Sequence, residues 1–144
     1  MINKTYTIIG ANSFLARNYY KYLIEYKHID IQNIYLYDIN DEHLDNGYNY
    51  QKIDFFDKIS IEYVNFNCDY LYIFSGKTGT VKGFEEYKSY IEINEILLLN
   101  ILDIYCKKKS KAKIVYPSTR LVYMHNEHDS IDEGFEKNST QFMQ

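Results

Sequence analysis

Small residues follow the first apolar segment of the chain at the spacing that a phosphate-binding turn requires. Residues 5–9 form a short apolar run, and Gly10, Ser13 and Ala16 follow it just before an apolar pattern with helical spacing. Small side chains at such a turn let backbone amides and a helix N-terminus come close to a pyrophosphate. Only the first of the three glycines of the dinucleotide-binding pattern is present, so an ordinary strand-to-helix turn explains this element equally well.

Two carboxylates follow later apolar segments and are candidates for contacts to a nucleoside. Asp38 stands 28 positions after Gly10, somewhat beyond the interval of about 20 residues that is typical of a group bound to an adenosine ribose. A carboxylate there repels a 2′-phosphate and favours NAD over NADP. Asp38 as a cap of the following loop is an equally good interpretation of the spacing. Asp54 ends a third apolar segment, where it and Phe55 would place a polar group and an aromatic face near an adenine.

These residues need a scaffold that brings the ends of several strands together. The apolar patterns predict strands and helices in alternation, which implies βαβ units with right-handed crossovers. We therefore expect a doubly wound parallel sheet of at least five strands with helices on both faces, whose ligands bind beyond the carboxyl ends of the strands. The predicted strands are residues 5–9, 33–38, 50–54, 69–75 and 113–116, and the predicted helices begin at Phe14 and cover residues 57–67 and Phe84 to Lys109.

Composition is consistent with one folded domain over residues 1–144. Apolar residues make up 46% and charged residues 25% of the chain, and the formal net charge is −4. A negative balance argues against nucleic acid as a partner. The apolar run at the N-terminus is too brief for a signal peptide or a membrane span, so we expect a cytoplasmic protein with no membrane partner.

Cysteine and histidine usage gives no indication of a metal or a disulfide. Cys68 and Cys106 show no C-x-x-C pairing and are predicted to be reduced core residues. The histidines and carboxylates of residues 125–129 lie in a polar segment that we interpret as a solvated loop. No metal site is predicted.

Three further motifs, taken in order with the first turn and Asp38, carry a family resemblance. They are Ile73-Phe74-Ser75-Gly76-Lys77, the segment from Asn94 to Asn100 with the leucine-rich stretch around it, and Ile114 to Tyr123 with its paired hydroxyls before Val122-Tyr123. Together they resemble the N-terminal Rossmann portion of the extended short-chain dehydrogenase/reductases, the NAD-dependent epimerase/dehydratase family that acts on nucleotide sugars. The resemblance runs from Tyr6 to about Glu133.

The resemblance implies a cofactor site and a catalytic hydroxyl. It assigns Thr119 as the catalytic residue, whose hydroxyl hydrogen-bonds the substrate oxygen while a tyrosine moves the proton as hydride goes to NAD. Asn94 matches a structural or cofactor-side asparagine, and Ser118 would lie beside the nicotinamide. The implied contacts are Gly10, Asn12, Ser13, Phe14 and Leu15 at the pyrophosphate loop, Asp38 at the adenosine ribose, Asp54 and Phe55 at the adenine, and Phe74, Ser75, Gly76 and Lys77 along the inner ribose.

The chain departs from the family pattern at its C-terminus. The Tyr-x-x-x-Lys pair of the family lies roughly two dozen residues beyond the Ser/Thr, which from Thr119 falls at or just past Gln144. Tyr105 and Lys109 satisfy the pattern, but they precede the fifth strand and lie at the far end of the long helix. Met124 also stands where a glycine usually follows Val-Tyr. The expectation is an NAD-binding half that is inactive alone.

The family places its nucleotide-sugar substrate in a C-terminal domain and dimerises through the long helix and the helix that bears Tyr-x-x-x-Lys. We therefore expect the helix from Phe84 to Lys109 to self-associate as a homodimer contact. A non-catalytic dinucleotide-binding sensor, or a subunit completed by another chain, is an alternative function of a different class. A flavodoxin-like domain without a dinucleotide is disfavoured by the segment from Ser118 to Tyr123.

Overall fold

The computed structural model describes residues 4–40, 47–78 and 85–117. Five parallel strands form one sheet in the order β3-β2-β1-β4-β5. This order and direction confirm the predicted doubly wound fold of the Rossmann type. The strands are β1 (Tyr6–Ile9), β2 (Ile34–Asp38), β3 (Asn49–Lys52), β4 (Tyr70–Ile73) and β5 (Lys113–Val115).

The central strand is buried on both faces because helices cover both sides of the sheet. Thr7, Ile8 and Ile9 of β1 have no exposed surface. Ile8 is in register with Leu36 on one side and Tyr72 on the other. A parallel strand in this position needs apolar side chains in both directions.

Helix α1 (Phe14–Glu25) covers one face of the sheet. It buries Ala16, Tyr20 and Leu23, which recur at the spacing of one helical face, against the core that contains Ile8 and Leu36. The apolar positions that recur at helical spacing after Phe14 thus form the contact between α1 and the sheet.

The long predicted helix covers the opposite face and contains an irregular turn. It consists of α3 (Tyr87–Ile91), a π-helical turn (Glu92–Ile96) and α4 (Leu97–Lys107). Leu97, Ile101 and Ile104 are buried in this core. A π turn inserts an extra residue into a helix and is frequent at functional sites. The predicted first residue, Phe84, lies outside the described residues.

The end of α4 has a specific cause. Lys109 adopts a left-handed φ of 52°, its amide donates to Cys106 O at 2.9 Å, and the amide of Ser110 donates to Tyr105 O at 3.2 Å. These two bonds form a Schellman motif, which closes the helix before β5.

Three details differ from the sequence expectations. Strand β3 ends at Lys52, so Asp54 lies beyond the strand and not at its last position. The helix predicted over 57–67 is only α2 (Lys58–Ile61), which Asp57 caps through bonds from the amides of Ile59 and Ser60. The core prediction for the cysteines is wrong for Cys106, which is exposed, whereas Cys68 is partly buried and both are free. None of the described helices is long and apolar enough to cross a membrane.

Candidate functional site

The turn after β1 is built around a glycine that no other residue can replace without strain. Gly10 has a φ of +79°, and a Cβ placed on it would lie 2.4 Å from the amide nitrogen of Ser75. Its own amide donates to Tyr37 O at 2.9 Å. The bare α-carbon therefore brings the first turn into contact with the end of β4, a role that the sequence pattern did not reveal.

The first turn of α1 presents free amides beside this glycine. Ser13 is the N-cap, and its Oγ accepts from the amide of Ala16 at 3.2 Å. The amides of Phe14 and Leu15 precede Ala16 in the first turn, where helix geometry provides no carbonyl partner. The side chains of Phe14 and Leu15 are 80% and 54% exposed, and Leu15 lines one of the cavities described below.

Asp38 lies at the end of β2 and is 7% exposed. One carboxylate oxygen accepts from the amide of Asn12 at 2.9 Å, and the other accepts from the amide of Asn40 at 3.1 Å. Asp38 therefore caps its own loop, as one sequence interpretation held, and also braces the first turn. These two donors hold the carboxylate in one orientation at the wall of a cavity.

That cavity, which we call the Asp38 cavity, has a volume of about 220 Å³. It lies at the carboxyl edge of the sheet, where the ends of β1, β2 and β4 meet the loop after β3 and the π turn. Apart from the carboxylate its walls are largely apolar or small. The lining residues are Gly10, Ser13, Asp38, Ile39, Phe55, Phe56, Phe74, Ser75, Gly76, Ile93 and Leu97.

A second cavity of about 550 Å³ adjoins it, and we call it the Asn94 cavity. The two cavities share Phe74, Ser75 and Gly76. The Oγ of Ser75 is buried at this shared boundary with no hydrogen-bond partner among the described residues. The lining residues are Leu15, Phe74, Ser75, Gly76, Lys77, Thr78, Asn94, Tyr116 and Pro117.

The side chain of Asn94 hydrogen-bonds the backbone of the loop that follows β4. Its Oδ1 accepts from the amide of Lys77 at 2.7 Å, and its Nδ2 donates to the carbonyl of Lys77 at 3.0 Å. Both polar groups of one peptide segment are thus satisfied by one side chain, which the π turn positions. Asn100, the second asparagine of the motif, donates to Phe55 O at 3.2 Å and so ties α4 to the loop after β3.

Two predicted residues, Asp54 and Lys77, make contacts that their motifs did not suggest. Asp54 is exposed and does not line either cavity; its Oδ1 accepts from the amide of Phe56 at 2.9 Å. The Lys77 ammonium pairs with Glu86. Phe56 lines the Asp38 cavity although the sequence pattern did not single it out.

Asn12 belongs to a polar cluster beside the first turn. Its Nδ2 donates to the hydroxyl of Tyr50 at 3.1 Å, its carbonyl accepts from Arg17 Nε at 3.1 Å, and its Oδ1 is buried without a partner in the described part of the chain. The sequence did not indicate that Tyr50 and Arg17 contact Asn12, because neither residue belongs to a motif.

Some predictions fall on residues that the structure does not describe. Ser118, Thr119 and the polar segment 125–129 lie outside the described residues. The roles inferred for them stay predictions. The stray pair Tyr105 and Lys109 lies at the opposite, amino edge of the sheet, where the hydroxyl of Tyr105 donates to Ala112 O at 2.8 Å.

A third cavity, of about 540 Å³, lies at the amino edge between the segment before β4 and the end of α4. Its walls include Lys108, Lys109 and Lys111. Ligands of doubly wound sheets bind at the carboxyl edge, and none of the described residues predicted to contact the cofactor lines this third cavity. We therefore take the Asp38 and Asn94 cavities as the candidate site.

Solved structures with this fold include several enzymes. A UDP-glucose 4-epimerase matches 94% of this chain at 19% identity with a TM-score of 0.73. A UDP-glucose 4-epimerase from Thermus thermophilus in complex with NAD matches 93% at 16% identity with a TM-score of 0.73. A mutant uronate dehydrogenase from Agrobacterium tumefaciens in complex with NAD matches 83% at 19% identity with a TM-score of 0.64.

The chain spans less than half the length of these proteins, since it covers 42%, 44% and 42% of them respectively. None of the curated proteins matches the chain. The family model described as the NAD dependent epimerase/dehydratase family matches residues 6–142. This match extends over nearly the whole sequence, and the chain belongs to the NAD-dependent epimerase/dehydratase family.

Proposed function

We propose that this chain is the NAD-binding portion of an oxidoreductase of the nucleotide-sugar epimerase/dehydratase type. The observation that carries the proposal is the cavity shared by the Gly10 turn, the first turn of α1 and the carboxylate of Asp38. Free amides suit a pyrophosphate, and a carboxylate held at the next strand end suits the hydroxyls of a ribose. The solved relatives in complex with NAD support the same cofactor.

In this proposal the two halves of NAD occupy the two adjoining cavities. The adenosine half lies in the Asp38 cavity, where Phe55 and Phe56 provide aromatic surface. The nicotinamide half lies toward Asn94 and Lys77, and Ser75 lies at the boundary between the halves. Its buried hydroxyl then gains the hydrogen-bond partner that it lacks among the described residues.

The charge of Asp38 supports NAD over NADP. A 2′-phosphate on the adenosine ribose would lie near a carboxylate that is already held in place by the amides of Asn12 and Asn40. Because the carboxylate cannot turn away without breaking these bonds, it repels the phosphate.

For the reaction we propose the roles that the family resemblance assigns. Thr119 hydrogen-bonds the substrate oxygen, and Ser118 lies beside the nicotinamide. A bound NAD would supply the hydride acceptor for the sugar carbon that is oxidised. In the family a tyrosine removes the proton, and we propose that turnover of a nucleotide sugar requires such a residue in addition to the cofactor site described above.

We also propose that the long helix mediates self-association. Four large apolar side chains are exposed along it, and an uncovered stripe of this kind favours contact with a second copy. Sedimentation velocity at rising concentration tests this, and a monomer at all concentrations would contradict it. The exposed residues are Tyr87, Ile91, Ile96 and Leu99.

Calorimetry with NAD and with NADP tests the cofactor proposal directly. We expect NAD to bind in preference to NADP. Asp38→Ala should weaken the affinity for NAD about 10-fold to 100-fold, since hydrogen bonds to a charged group contribute about 1.5–3 kcal/mol. The ratio of the affinities for NAD and NADP should decrease in the same variant, because the charge that repels the 2′-phosphate is removed.

Asp30→Ala is the matched control. Asp30 also caps a short turn, accepting from the amide of Gln32 at 3.0 Å, but it does not line either cavity. It should leave NAD affinity unchanged. No binding of NAD at millimolar concentration, or equal binding by wild type and Asp38→Ala, would contradict the proposal.

A further inference from the structure

We propose that Glu86 is a positioning residue that withholds the ammonium of Lys77 from the candidate site and yields it to an anionic ligand. The inference rests on the proposed function and concerns the regulation of the same site. Among the described residues that line the two cavities, Lys77 is the one that carries a positive charge and Asp38 the one that carries a negative charge. The Nζ of Lys77, however, pairs with the carboxylate of Glu86.

The backbone of Lys77 is fixed while its side chain is held only at the tip. Asn94 clamps the amide and the carbonyl of Lys77 at 2.7 and 3.0 Å. The ammonium donates to Ser89 Oγ at 3.0 Å and lies 5.1 Å from the centre of the Tyr90 ring. A lysine side chain has a flexible stem of four carbons joined by rotatable bonds. The ammonium can therefore move between Glu86 and the Asn94 cavity without any change in the backbone of the loop.

The charges define what such a movement does. The Lys77 and Glu86 side chains are 28% and 38% exposed, so solvent screens their attraction only in part. While they are paired, their charges cancel and Asp38 leaves the cavity walls with a net negative charge. A ligand with a pyrophosphate then meets repulsion rather than attraction. An anionic ligand must take Lys77 from Glu86, whereas a neutral ligand need not.

The Lys77–Glu86 pair therefore distinguishes ligands by their charge. Free Lys77 would bind many anions that fit the Asn94 cavity. With Glu86 as an internal competitor, only an anion whose other contacts are also made, at Asp38 and at the first turn of α1, gains enough free energy to displace the carboxylate. Glu86 therefore lowers affinity and raises selectivity.

Calorimetry on the full chain with two probes tests the inference. Glu86→Gln removes the competing charge and should raise the affinity for NAD about fivefold at low salt. A change of this size is in the range expected for a partly screened ion pair. Adenosine, which is neutral, should bind both proteins equally. The gain for NAD should shrink as salt rises because the ion pair becomes screened.

Two control variants separate this role from a structural one. Glu85→Gln removes a neighbouring, exposed carboxylate near the start of the same helix and should leave NAD affinity unchanged. Lys77→Met removes the ammonium, and Glu86→Gln in that background should give no further gain. Such a double-mutant cycle isolates the pairwise effect.

The outcomes differ for this inference and for the proposed function. Binding of NAD that is unchanged or weakened in Glu86→Gln, equal gains for NAD and adenosine, or a gain that persists with Lys77→Met would overturn the role of Glu86 and leave the NAD site intact. If NAD binds to none of these proteins, the proposed function fails, and the inference fails with it.

Discussion

Cavities lie at both edges of the sheet, but the described residues around them differ in whether their buried polar atoms have hydrogen-bond partners. At the amino edge the Oγ of Ser110 donates to Phe66 O at 2.7 Å and accepts from the amide of Ala112 at 3.2 Å. At the carboxyl edge the Oγ of Ser75 and the Oδ1 of Asn12 are buried with no partner in the described part of the chain.

The difference is consistent with the binding role proposed for the carboxyl edge. Buried polar groups in native proteins are nearly always hydrogen-bonded, and each exception calls for an explanation. The amino edge satisfies its own groups and mainly closes the ends of helices and the starts of strands. The carboxyl edge retains hydrogen-bonding capacity, which is what a ligand site needs. Changes at the two edges should therefore have different consequences, which the following predictions order by size.

Gly10→Ala should have the largest effect, because it damages the carboxyl edge itself. The new Cβ would lie 2.4 Å from the Ser75 amide at a φ of +79°. Overpacking and backbone strain together should lower the free energy of unfolding by about 3–5 kcal/mol. Urea denaturation measures this change.

Gly47→Ala is the matched control, since Gly47 also has a positive φ, +127°, but the nearest atom to a Cβ at this position would be Ile31 Cδ1 at 3.9 Å. It should show the backbone strain without the collision and so destabilise less. Equal losses in the two variants would mean that contact between the first turn and β4 contributes nothing.

Asn94→Ala should have an intermediate effect on both stability and binding. It leaves the amide and carbonyl of Lys77 without their partner, which costs about 2 kcal/mol for partly buried groups, and it loosens the wall of the Asn94 cavity. NAD should bind more weakly by calorimetry, in parallel with a lower unfolding midpoint.

Asn100→Ala removes a single 3.2 Å bond to Phe55 O from the same helix and should be milder in both measurements. A loss of stability in Asn94→Ala with unchanged NAD affinity would show that the clamp serves the fold alone.

Lys109→Gly, at the amino edge, should have the smallest effect. The effect should have the opposite sign because the substitution relieves backbone strain. Lys109 adopts a φ of 52° in the Schellman motif, and glycine relieves the left-handed strain at some cost in chain entropy. We expect a gain of about 0.5–1 kcal/mol in the free energy of unfolding, with NAD affinity unchanged.

Lys109→Ala removes the same charge but keeps the Cβ, so it should not stabilise. A change in NAD affinity in either variant would break the distinction between the two edges, since it would couple the lysine-lined cavity to the cofactor site.

Much of the fold was predictable because it depends on local patterns. The bounds of β1 and β2 follow from short apolar runs, and the structure confirms them within a residue. Helix α1 begins at Phe14, as predicted. The helix predicted over residues 57–67 was wrong beyond Ile61, because tertiary contacts override weak helical spacing. There Thr7 Oγ1 donates to Asn65 O at 2.6 Å, and the chain turns toward β4.

The candidate site was predictable only in part. Gly10 and Asp38 were singled out because they follow strands at a recognisable spacing, and both line the Asp38 cavity. Phe56 was missed and Asp54 was favoured, because the side chain that faces a cavity after a strand depends on where the strand ends, and β3 ends two residues before Asp54. Glu86 was missed because it stands nine positions after Lys77 and its contact with that residue belongs to no motif.

The sequence by itself determined the alternation of strands and helices, the family, and the residues that follow each strand. These depend on the period of apolar residues and on small or charged residues at fixed positions in the chain. Only the tertiary structure decided which of those residues share a cavity, that Gly10 is required by the backbone of β4, and that Lys77 pairs with Glu86. Such contacts join atoms that are distant in the chain, and their geometry exists only once the sheet has formed.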